Sequence, residues 1–590
     1  MPAHRPVVMA TRHAISAGHY LAAEAGFEIL NAGGNAIDAG VAAGLALGVL
    51  HSDLVNVAGV APIMIRLAET GEVITIDGLG TWPKAATVDL FVREHGGRIP
   101  EGLLRTVVPA APSAWITALE RYGTLSFGAA AAAAIRFARD GFPVFPLFAE
   151  FIAGHLAGYE RTAENRRIYL PEGRPPEVGE RFVQGDLAAT LQYMVDQEAA
   201  AGGDRIDGLH AAHDAFYAGD IARTICNYHR DNGGLLTLED MAGFQARLEP
   251  PLRAGFAGAE VYCCGPWSQG ISLAQSFALL DQGDVGALAH NSPAYIHYLT
   301  EILKLVFADR ERYVGDPRFV DVPVGGMLDP DYLAARLGLI DPNRAAAAMP
   351  PAGDPESGSA TAAGPEAPAA AAQAGGGLDP HASRPREIAP AGGPDSADTS
   401  YVCVVDEDGN MFSATPSDTS ADTEVIPGTG LCPSSRGSQS RGDPDLPASV
   451  APGKRPRLTP NPALALRDGK PLMAFGTPGG DVQIQAMIQV VLNVLSHGMD
   501  VQSAIEAPRF ATYSFPSSFA PNDYFPGLLM LEARLPRETG AALSALGHKA
   551  EWWPEWTWKA GGVCAILCDA EAGILHAGAD PRRAGYALGY

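Results

Sequence analysis

A low-complexity segment ends abruptly against a strand-like segment, and this boundary limits how the chain can be divided. Residues 341–397 consist mainly of Ala, Pro and Gly. They lack the apolar side chains that offset the entropy lost on ordering, so this composition predicts disorder. The residues that follow, "DTSYVCVVDEDGNMFSA" (398–414), indicate two strands joined by a turn at Asp408-Gly409. The predicted parts are therefore 1–340, a disordered segment 341–398, and 399–590.

Helical and strand patterns alternate on both sides of this segment. Apolar residues recur at helical spacing in six segments, and alternating runs mark two hairpins. The helical segments are 14–35, 36–50, 112–141, 183–198, 293–314 and 481–498, the hairpins are 61–80 and 463–480, and two more strands lie near the C-terminus. Blocks of strands flanked by helices predict an α+β architecture of layered antiparallel sheets and helices.

Charge and composition exclude several functional classes. The 590 residues include 42 Lys and Arg against 67 Asp and Glu, a net charge of −25, which repels phosphate backbones and anionic lipid. We therefore expect no nucleic-acid partner. We also expect no membrane partner, because the longest apolar run, 39–50, is too short to span a bilayer. The N-terminus lacks the apolar stretch of a secretory signal. Seven cysteines without zinc-binding spacing favour reduced thiols, a cytoplasmic location, and no metal or organic cofactor.

Thr399 is a candidate nucleophile because of where it lies. A threonine hydroxyl is unreactive at neutral pH unless a base lies beside it. An N-terminal threonine has such a base in its own α-amino group, whose pKa of about 7.7–8.0 is close to working pH. A cut between Asp398 and Thr399 would create this amine. A threonine at an ordinary loop–strand boundary has the same local sequence, so the segment alone leaves both interpretations open.

A second candidate element is the turn "FGTPGGDVQ" (475–483). A strand pattern runs into Gly479-Gly480 and then into a helix, which exposes backbone N–H groups at the positive end of the helix dipole. Such a turn binds anions and can act as an oxyanion hole in acyl transfer. A tight strand–helix connection with no catalytic role has the same sequence.

The order of these segments resembles the γ-glutamyltransferase family of N-terminal-nucleophile hydrolases. Before the low-complexity segment, "AAEAGFEILNAGGNAIDAGVAAGLALGV", "YGTLSFGAAAAAAIRFARDGFPV", "GGLLTLEDMAGFQARLEPPL" and "KLVFADRERYVGDP" match landmarks of the family's large chain. After Thr399, "PGTG", "KRPRLTPNPAL", "TPGGD" and "AGADPRRAGYALGY" follow in the family's order. The resemblance covers nearly the whole chain apart from the low-complexity segment.

This resemblance implies a fold, a maturation step and a set of catalytic residues. The fold would be a four-layer αββα sandwich. The precursor would cut itself between Asp398 and Thr399, and the large and small chains would form a heterodimer or a pair of such heterodimers. Thr399 would carry the acyl-enzyme ester, Ser417 would stand where the family has a threonine that contacts the nucleophile, and the amides of Gly479 and Gly480 would bind the oxyanion.

The sequence departs from the family where typical members hold the γ-glutamyl group. Val88 aligns with the arginine that clamps the α-carboxylate, and an apolar side chain cannot replace a bidentate guanidinium. Leu458 and Thr459 align with the paired serines that hold the same carboxylate. Arg436 aligns near an acidic or amide position and could hold the carboxylate of a different acyl group, or be a solvated loop residue. The predicted substrate-binding residues are Arg436, Thr459, Thr419 and Asp481.

Three functional hypotheses follow. The first is a self-processing amidohydrolase that cleaves a linear, small-molecule amide through an N-terminal threonine, with an acyl group other than γ-glutamyl. The second is a γ-glutamyltransferase or glutathione hydrolase with a rearranged substrate clamp. The third belongs to another class: an unprocessed, inactive family member that acts as a binding protein.

Overall fold

The computed structural model describes residues 3–283, 285–362 and 399–590. Within them, two seven-stranded antiparallel sheets form the centre of the molecule. Sheet 1 contains, in spatial order, Tyr586–Gly589, Ala14–Ala17, Val402–Val405, Met411–Ala414, Ile63–Arg66, Val73–Ile76 and Leu248–Glu249. Sheet 2 contains Val8–Ala10, Ile574–Ala579, Cys564–Asp569, Lys470–Gly476, Ala463–Arg467, Ala259–Cys263 and Leu252–Phe256.

The two sheets pack face to face because alternate side chains of each strand point inward. Cys403 of sheet 1 and Ala474 of sheet 2 belong to one buried cluster between the sheets. The intervening residues Val402 and Val404 point the other way and join a cluster with the helices that cover sheet 1. This alternation is the period-two pattern expected of strands buried on both faces.

Helices cover both outer faces and complete four layers. Those packed with sheet 1 are Tyr20–Asn31, Ala36–Leu50, Ala111–Tyr122, Phe127–Asp140, Pro146–Gly154, Leu156–Tyr159, Ala163–Tyr169, Gly185–Ala200, Arg205–Tyr217, Asp220–Asp231 and Leu238–Ala242. Those packed with sheet 2 are Gly270–Gln282, Pro293–Tyr313, Pro330–Leu337, Gln483–Leu495, Val501–Glu506 and Arg537–Ala545. The predicted α+β, four-layer αββα architecture is confirmed.

Smaller elements complete the fold. A three-stranded sheet of Phe510–Thr512, Leu528–Glu532 and Lys549–Trp553 packs with the helices over sheet 2. The remaining elements are the pair Phe142–Pro143 and Arg181–Phe182 and the helices Val88–His95 and Val324–Met327. In the part of the chain that the structure describes, no helix combines the length and apolar character needed to cross a membrane.

Two segments predicted from local sequence have wrong N-terminal bounds. The helix predicted from residue 14 begins at Tyr20, because Ala14–Ala17 is a strand between Val402–Val405 and Tyr586–Gly589. Disorder was predicted from residue 341, yet residues 341–362 are described and held by buried side chains: Arg336 donates to the carbonyls of Pro351 and Ala360. The rest of that prediction, 363–398, including Asp398, lies outside the described residues.

Candidate active site

Thr399 and Ser417 lie side by side at the end of the central hairpin. The turn at Gly409 folds Met411–Ala414 back on Val402–Val405, and the pairing extends to a bridge between Thr399 and Ser417. Both residues are fully buried. Thr399 Oγ1 and Ser417 Oγ are 2.7 Å apart, close enough to share a hydrogen. The predicted contact between these hydroxyls is therefore present, and it orients Thr399.

Arg436 lies behind this hydroxyl pair. Its guanidinium donates a hydrogen bond to Ser417 Oγ, and its Nε lies 3.0 Å from Asp418 Oδ1. Asp418 also accepts hydrogen bonds from Ser434 Oγ at 2.7 Å and Ser435 Oγ at 3.2 Å. A series of hydrogen bonds thus connects the buried carboxylate of Asp418 to the candidate nucleophile, through Arg436 and Ser417. The sequence placed Arg436 near the substrate but did not indicate this ion pair.

Two properties of Asp418 are typical of a functional site. Its φ of 117° is in the left-handed region, which costs a residue with a side chain about 1–3 kcal/mol. Burial raises the pKa of Asp418 to about 6, although the Arg436 guanidinium and the hydroxyls of Ser434 and Ser435 act in the opposite direction. The carboxyl group can therefore change its charge near neutral pH, in contact with the group that holds Ser417.

The glycine turn lies on the other side of Thr399. Strand Lys470–Gly476 leads into Gly479, with φ of 125°, and Gly480, with φ of 55°. Both angles are in the left-handed region, so a side chain at either position would strain the turn. A short 3₁₀ turn and helix Gln483–Leu495 follow. Gln483 Nε2 donates a long hydrogen bond of 3.5 Å to Thr399 Oγ1, which places the helix start at the candidate nucleophile.

Amide side chains connect the glycine turn to Thr459. Gln269 Nε2 donates to the carbonyls of Gly480 and Thr459, both at 3.0 Å. Gln439 Nε2 donates to Thr459 Oγ1 at 2.7 Å. Gln269 thus links Thr459 to the glycine turn. Thr419 is buried in the loop that follows Asp418. The predicted roles of both threonines in substrate binding stay predictions.

Asp481 belongs to a buried group of five charged residues, which we call the Asp481 cluster: Arg310, Glu311, Arg441, Arg457 and Asp481. Arg310 bonds both Asp481 and Glu311, and Arg441 and Arg457 bond Glu311. Burial alone would raise the pKa of Glu311, but the three guanidinium groups hold it well below its usual value. The cluster therefore carries three positive and two negative charges beside the glycine turn.

The arginines of the Asp481 cluster were not identified as site residues from the sequence. Arg310 is part of "KLVFADRERYVGDP" and Arg457 of "KRPRLTPNPAL", two segments that carry the family resemblance. The sequence signal that could have indicated them is a charged residue within a segment of the family resemblance. An arginine that such a segment buries needs a charged partner. Most partners of these arginines, however, are remote in the sequence: Arg441 lies 130 residues from Glu311, and Arg310 lies 171 residues from Asp481.

Val88, which aligns with the family's clamping arginine, has apolar neighbours as well as an apolar side chain. Val88 is the first residue of helix Val88–His95, which Thr87 caps. It packs against a small buried cluster that includes Trp82 and Phe91. A carboxylate placed in this cluster would lose its hydration without gaining a charged partner from Val88.

One group of buried side chains has the composition of a metal site. His297, Glu301 and His548 offer ligand atoms within 4.8 Å of one another. However, Lys304 Nζ donates to Glu301 Oε1 at 2.7 Å and already neutralises this carboxylate. His297 Nδ1 bonds His548 Nε2 at 2.8 Å, and its Nε2 bonds the carbonyl of Asp341. Lys304 Nζ also donates to the carbonyl of Ala346. We therefore interpret the group as a support for residues 341–346, without a role for a metal.

Comparisons with known proteins identify the family of the chain. The model of the Gamma-glutamyltranspeptidase family matches residues 22–590. The chain is 32% identical over 580 residues to the Acylase ACY 1 proenzyme of Pseudomonas sp. (strain SE83), covering 96% of this chain and 92% of that protein. It is 29% identical over 588 residues to the Glutathione hydrolase proenzyme of Bacillus subtilis (strain 168), covering 98% and 91%.

Solved structures give the same result for the whole fold. The crystal structure of cephalosporin acylase from Bacillus halodurans superposes with a TM-score of 0.82 at 26% identity, covering 100% of this chain and 98% of that one. The family match, the relatives and the four-layer fold are therefore consistent over nearly the full length. The chain belongs to the γ-glutamyltranspeptidase family and is an enzyme of the amide-cleaving N-terminal-nucleophile hydrolase superfamily.

Proposed function

We propose that the chain is a self-processing amidohydrolase whose nucleophile is Thr399, exposed as an N-terminus by cleavage after Asp398. The observation that carries the proposal is the buried hydroxyl of Thr399, 2.7 Å from Ser417 Oγ and within reach of the helix start after Gly479-Gly480. A nucleophile, an orienting hydroxyl and a glycine turn in one place are the parts that acyl transfer needs.

The reaction would proceed in two steps. The α-amino group of Thr399 takes the proton of Oγ1, which attacks the amide carbonyl, and the amides of Gly479 and Gly480 stabilise the resulting oxyanion. The amine returns the proton to the leaving nitrogen, the C–N bond breaks, and an ester forms on Thr399. Water then attacks the ester carbonyl and gives a proton to the same amine. The amine returns this proton to Oγ1 as the ester C–O bond breaks and the acid leaves. Ser417, held by Arg436, keeps Oγ1 directed at the substrate.

The acyl group we propose is not γ-glutamyl. Val88 lies in an apolar cluster, Leu458 is fully buried, and Thr459 Oγ1 is bonded to Gln439. None of these side chains offers the charged contact that an amino-acid carboxylate needs. The similarity to an acylase proenzyme supports this interpretation. The alternative is γ-glutamyl transfer or glutathione hydrolysis through a rearranged clamp, which the 29% identity to a glutathione hydrolase proenzyme favours.

A comparison of anilides separates these alternatives. We expect the processed enzyme to cleave phenylacetyl- or hexanoyl-p-nitroanilide with a kcat/KM about 10²- to 10⁴-fold above that for γ-glutamyl-p-nitroanilide, because a site without partners for a charged group discriminates on this scale. Release of p-nitroaniline measures each rate. Rapid cleavage of the γ-glutamyl anilide that increases with a dipeptide acceptor would favour the alternative.

The pH dependence of hydrolysis should contain two ionisations. The free amine of Thr399 must be neutral, with a pKa of about 7.7–8.0, and Asp418, with its pKa raised to about 6, must be charged to hold Arg436. The logarithm of kcat/KM should therefore rise with a slope near 2 below pH 6 and near 1 from pH 6 to about 8. The ionisable groups near Asp418 include Arg436, Asp422 and Cys432, and the hydroxyls of Ser434 and Ser435 donate to it.

The matched variant for this profile is Asp418→Asn, which keeps the shape of the side chain and removes its charge. We expect a lower rate and a single slope near 1 through the whole acid range. A profile that keeps its second ionisation near pH 6 in Asp418→Asn would assign that ionisation to another group.

The two chains produced by cleavage should remain together as a heterodimer. Val402–Val405 of the small chain pairs with Ala14–Ala17 of the large chain, and Ala463–Arg467 of the small chain pairs with Ala259–Cys263 of the large chain. Both sheets therefore contain strands from both chains, and separating them would break both sheets. We also propose a cytoplasmic location, supported by seven cysteines that are free in the described residues.

A further inference from the structure

A nine-residue loop, Pro516–Tyr524, lies across the candidate active site. It connects strands Phe510–Thr512 and Leu528–Glu532. Pro516 and Tyr524 form a bridge at its base, and Ser517 N donates to the carbonyl of Asp523 at 2.8 Å. The loop is therefore a closed structure with its own backbone bonds. We call it the 516–524 loop.

The tip of this loop is bonded to both sides of the nucleophile. On one side, Ser518 donates from its N and its Oγ to Asp481, at 2.8 and 2.7 Å, and Asp481 directly follows Gly480. On the other side, Ala520 N donates at 2.7 Å to the carbonyl of Ser438, in the 3₁₀ turn that carries Arg436. The loop thus joins the glycine turn to the Arg436 turn.

Buried guanidinium groups of the Asp481 cluster hold the base of the loop. Arg310 donates to the carbonyl of Pro516 at 3.2 Å, and Arg441 donates to the carbonyl of Ser517 at 3.1 Å. Hydrogen bonds from charged donors are stronger than neutral ones. The position of the loop is therefore fixed by the same charges that hold Asp481 beside the glycine turn.

Phe519 is the aromatic side chain that this arrangement brings to Arg436. Its ring lies 5.5 Å from the guanidinium carbon of Arg436, and Arg436 in turn bonds the Ser417 hydroxyl that contacts Thr399. Phe519 is 9% exposed. An acyl group bound to Thr399, with its carbonyl oxygen at Gly479-Gly480, would lie near the two turns that the loop joins.

We propose that Phe519 is a specificity-determining residue that forms an apolar wall of the acyl pocket, and that the preferred substrates are amides whose acyl group has an apolar body, aliphatic or aromatic. This inference rests on the proposed function. Arg436 is engaged by Asp418 and Ser417, so the surface that the loop offers here is the phenyl ring. Contact between an apolar acyl chain and this ring removes both from water, which favours binding.

The test compares acyl groups in three variants of the full-length, self-processed enzyme. The substrates are acetyl-, hexanoyl-, phenylacetyl- and γ-glutamyl-p-nitroanilide. In Phe519→Ala we expect kcat/KM for the hexanoyl and phenylacetyl anilides to fall about 10- to 100-fold and that for the acetyl anilide to change less than about threefold, because only the longer groups reach the wall. Phe519→Leu should retain most of the apolar preference.

A matched control separates this effect from that of removing a phenylalanine ring elsewhere in the protein. Phe319→Ala removes a ring that is 44% exposed and should leave all four rates unchanged. A denaturing gel shows that each variant has processed into two chains, so a misfolded variant is recognised before its rates are compared.

The outcomes distinguish the inference from the proposed function. If Phe519→Ala lowers all four rates equally, or if the wild type cleaves the acetyl anilide faster than the apolar ones, Phe519 does not set specificity, and the proposed function stands. If the wild type remains one chain and cleaves no anilide, both fail. A selective loss for the apolar acyl groups supports the assignment.

Discussion

Replacement of Thr399 by alanine is expected to abolish both chain cleavage and amide hydrolysis. Alanine lacks the hydroxyl that would attack the peptide bond before residue 399 and, later, the substrate carbonyl. Removing a catalytic nucleophile lowers kcat by at least about 10⁴-fold. The measurement is a denaturing gel of the purified protein, N-terminal sequencing of the smaller band, and an anilide assay. We expect one full-length band and no release of p-nitroaniline.

Thr399→Ser is the matched control, because it keeps the hydroxyl and removes only a methyl group. It should still process, and its small chain should begin at residue 399. Two bands in Thr399→Ala would show that another residue performs the cleavage. A wild-type protein that remains a single, inactive band on incubation would instead favour the binding-protein hypothesis.

Replacement of Arg436 by methionine is expected to lower stability and activity together. The variant leaves Asp418 buried without its guanidinium partner, so the pKa of its carboxyl, which Arg436 lowers, rises further. Breaking a buried ion pair in this way costs about 3–5 kcal/mol. Ser417 also loses the donor that orients it. Unfolding in urea at pH 8, with the rate of anilide hydrolysis measured on the same preparation, would show both losses.

The double variant Arg436→Met with Asp418→Asn separates the two effects. Removing the charge of Asp418 should restore part of the stability, because no unpaired carboxylate remains buried. Activity should stay low, since Ser417 still lacks its donor. An unchanged urea midpoint in Arg436→Met would contradict the ion pair. A loss confined to glutaryl-p-nitroanilide would instead support the predicted role of Arg436 in binding a substrate carboxylate.

Local sequence was sufficient for the parts of the site whose chemistry depends on backbone conformation. The Asp408-Gly409 turn predicted the hairpin that places Thr399 opposite Ser417, because a tight turn defines the register of both strands. The pair Gly479-Gly480 predicted a tight strand–helix turn, and both residues have the positive φ that glycine adopts readily. Contacts of this kind involve residues close together in the chain, where propensity and turn chemistry are informative.

Other features depend on partners that are remote in the sequence. Ala14–Ala17 reads as the start of a helix, and becomes a strand because Val402–Val405 and Tyr586–Gly589 supply hydrogen bonds on both edges. Residues 341–362 have the composition of a disordered segment, and are ordered because Arg336, Glu301 and Lys304 bond their backbone. The composition of a segment indicates which stabilising contacts its own side chains can make. It does not indicate the hydrogen bonds that residues remote in the sequence donate to its backbone.

By itself, the sequence determined the layered α+β class, the family, and the position of the candidate nucleophile at residue 399. Only the tertiary structure decided that Arg436 pairs with Asp418 and Ser417, and that Asp481 is held by Arg310. It also placed the 516–524 loop across the site. The physical reason is that the energy of a buried charge depends on its partners in space. Arg310 and Asp481 are 171 residues apart in the chain, so no local pattern pairs them.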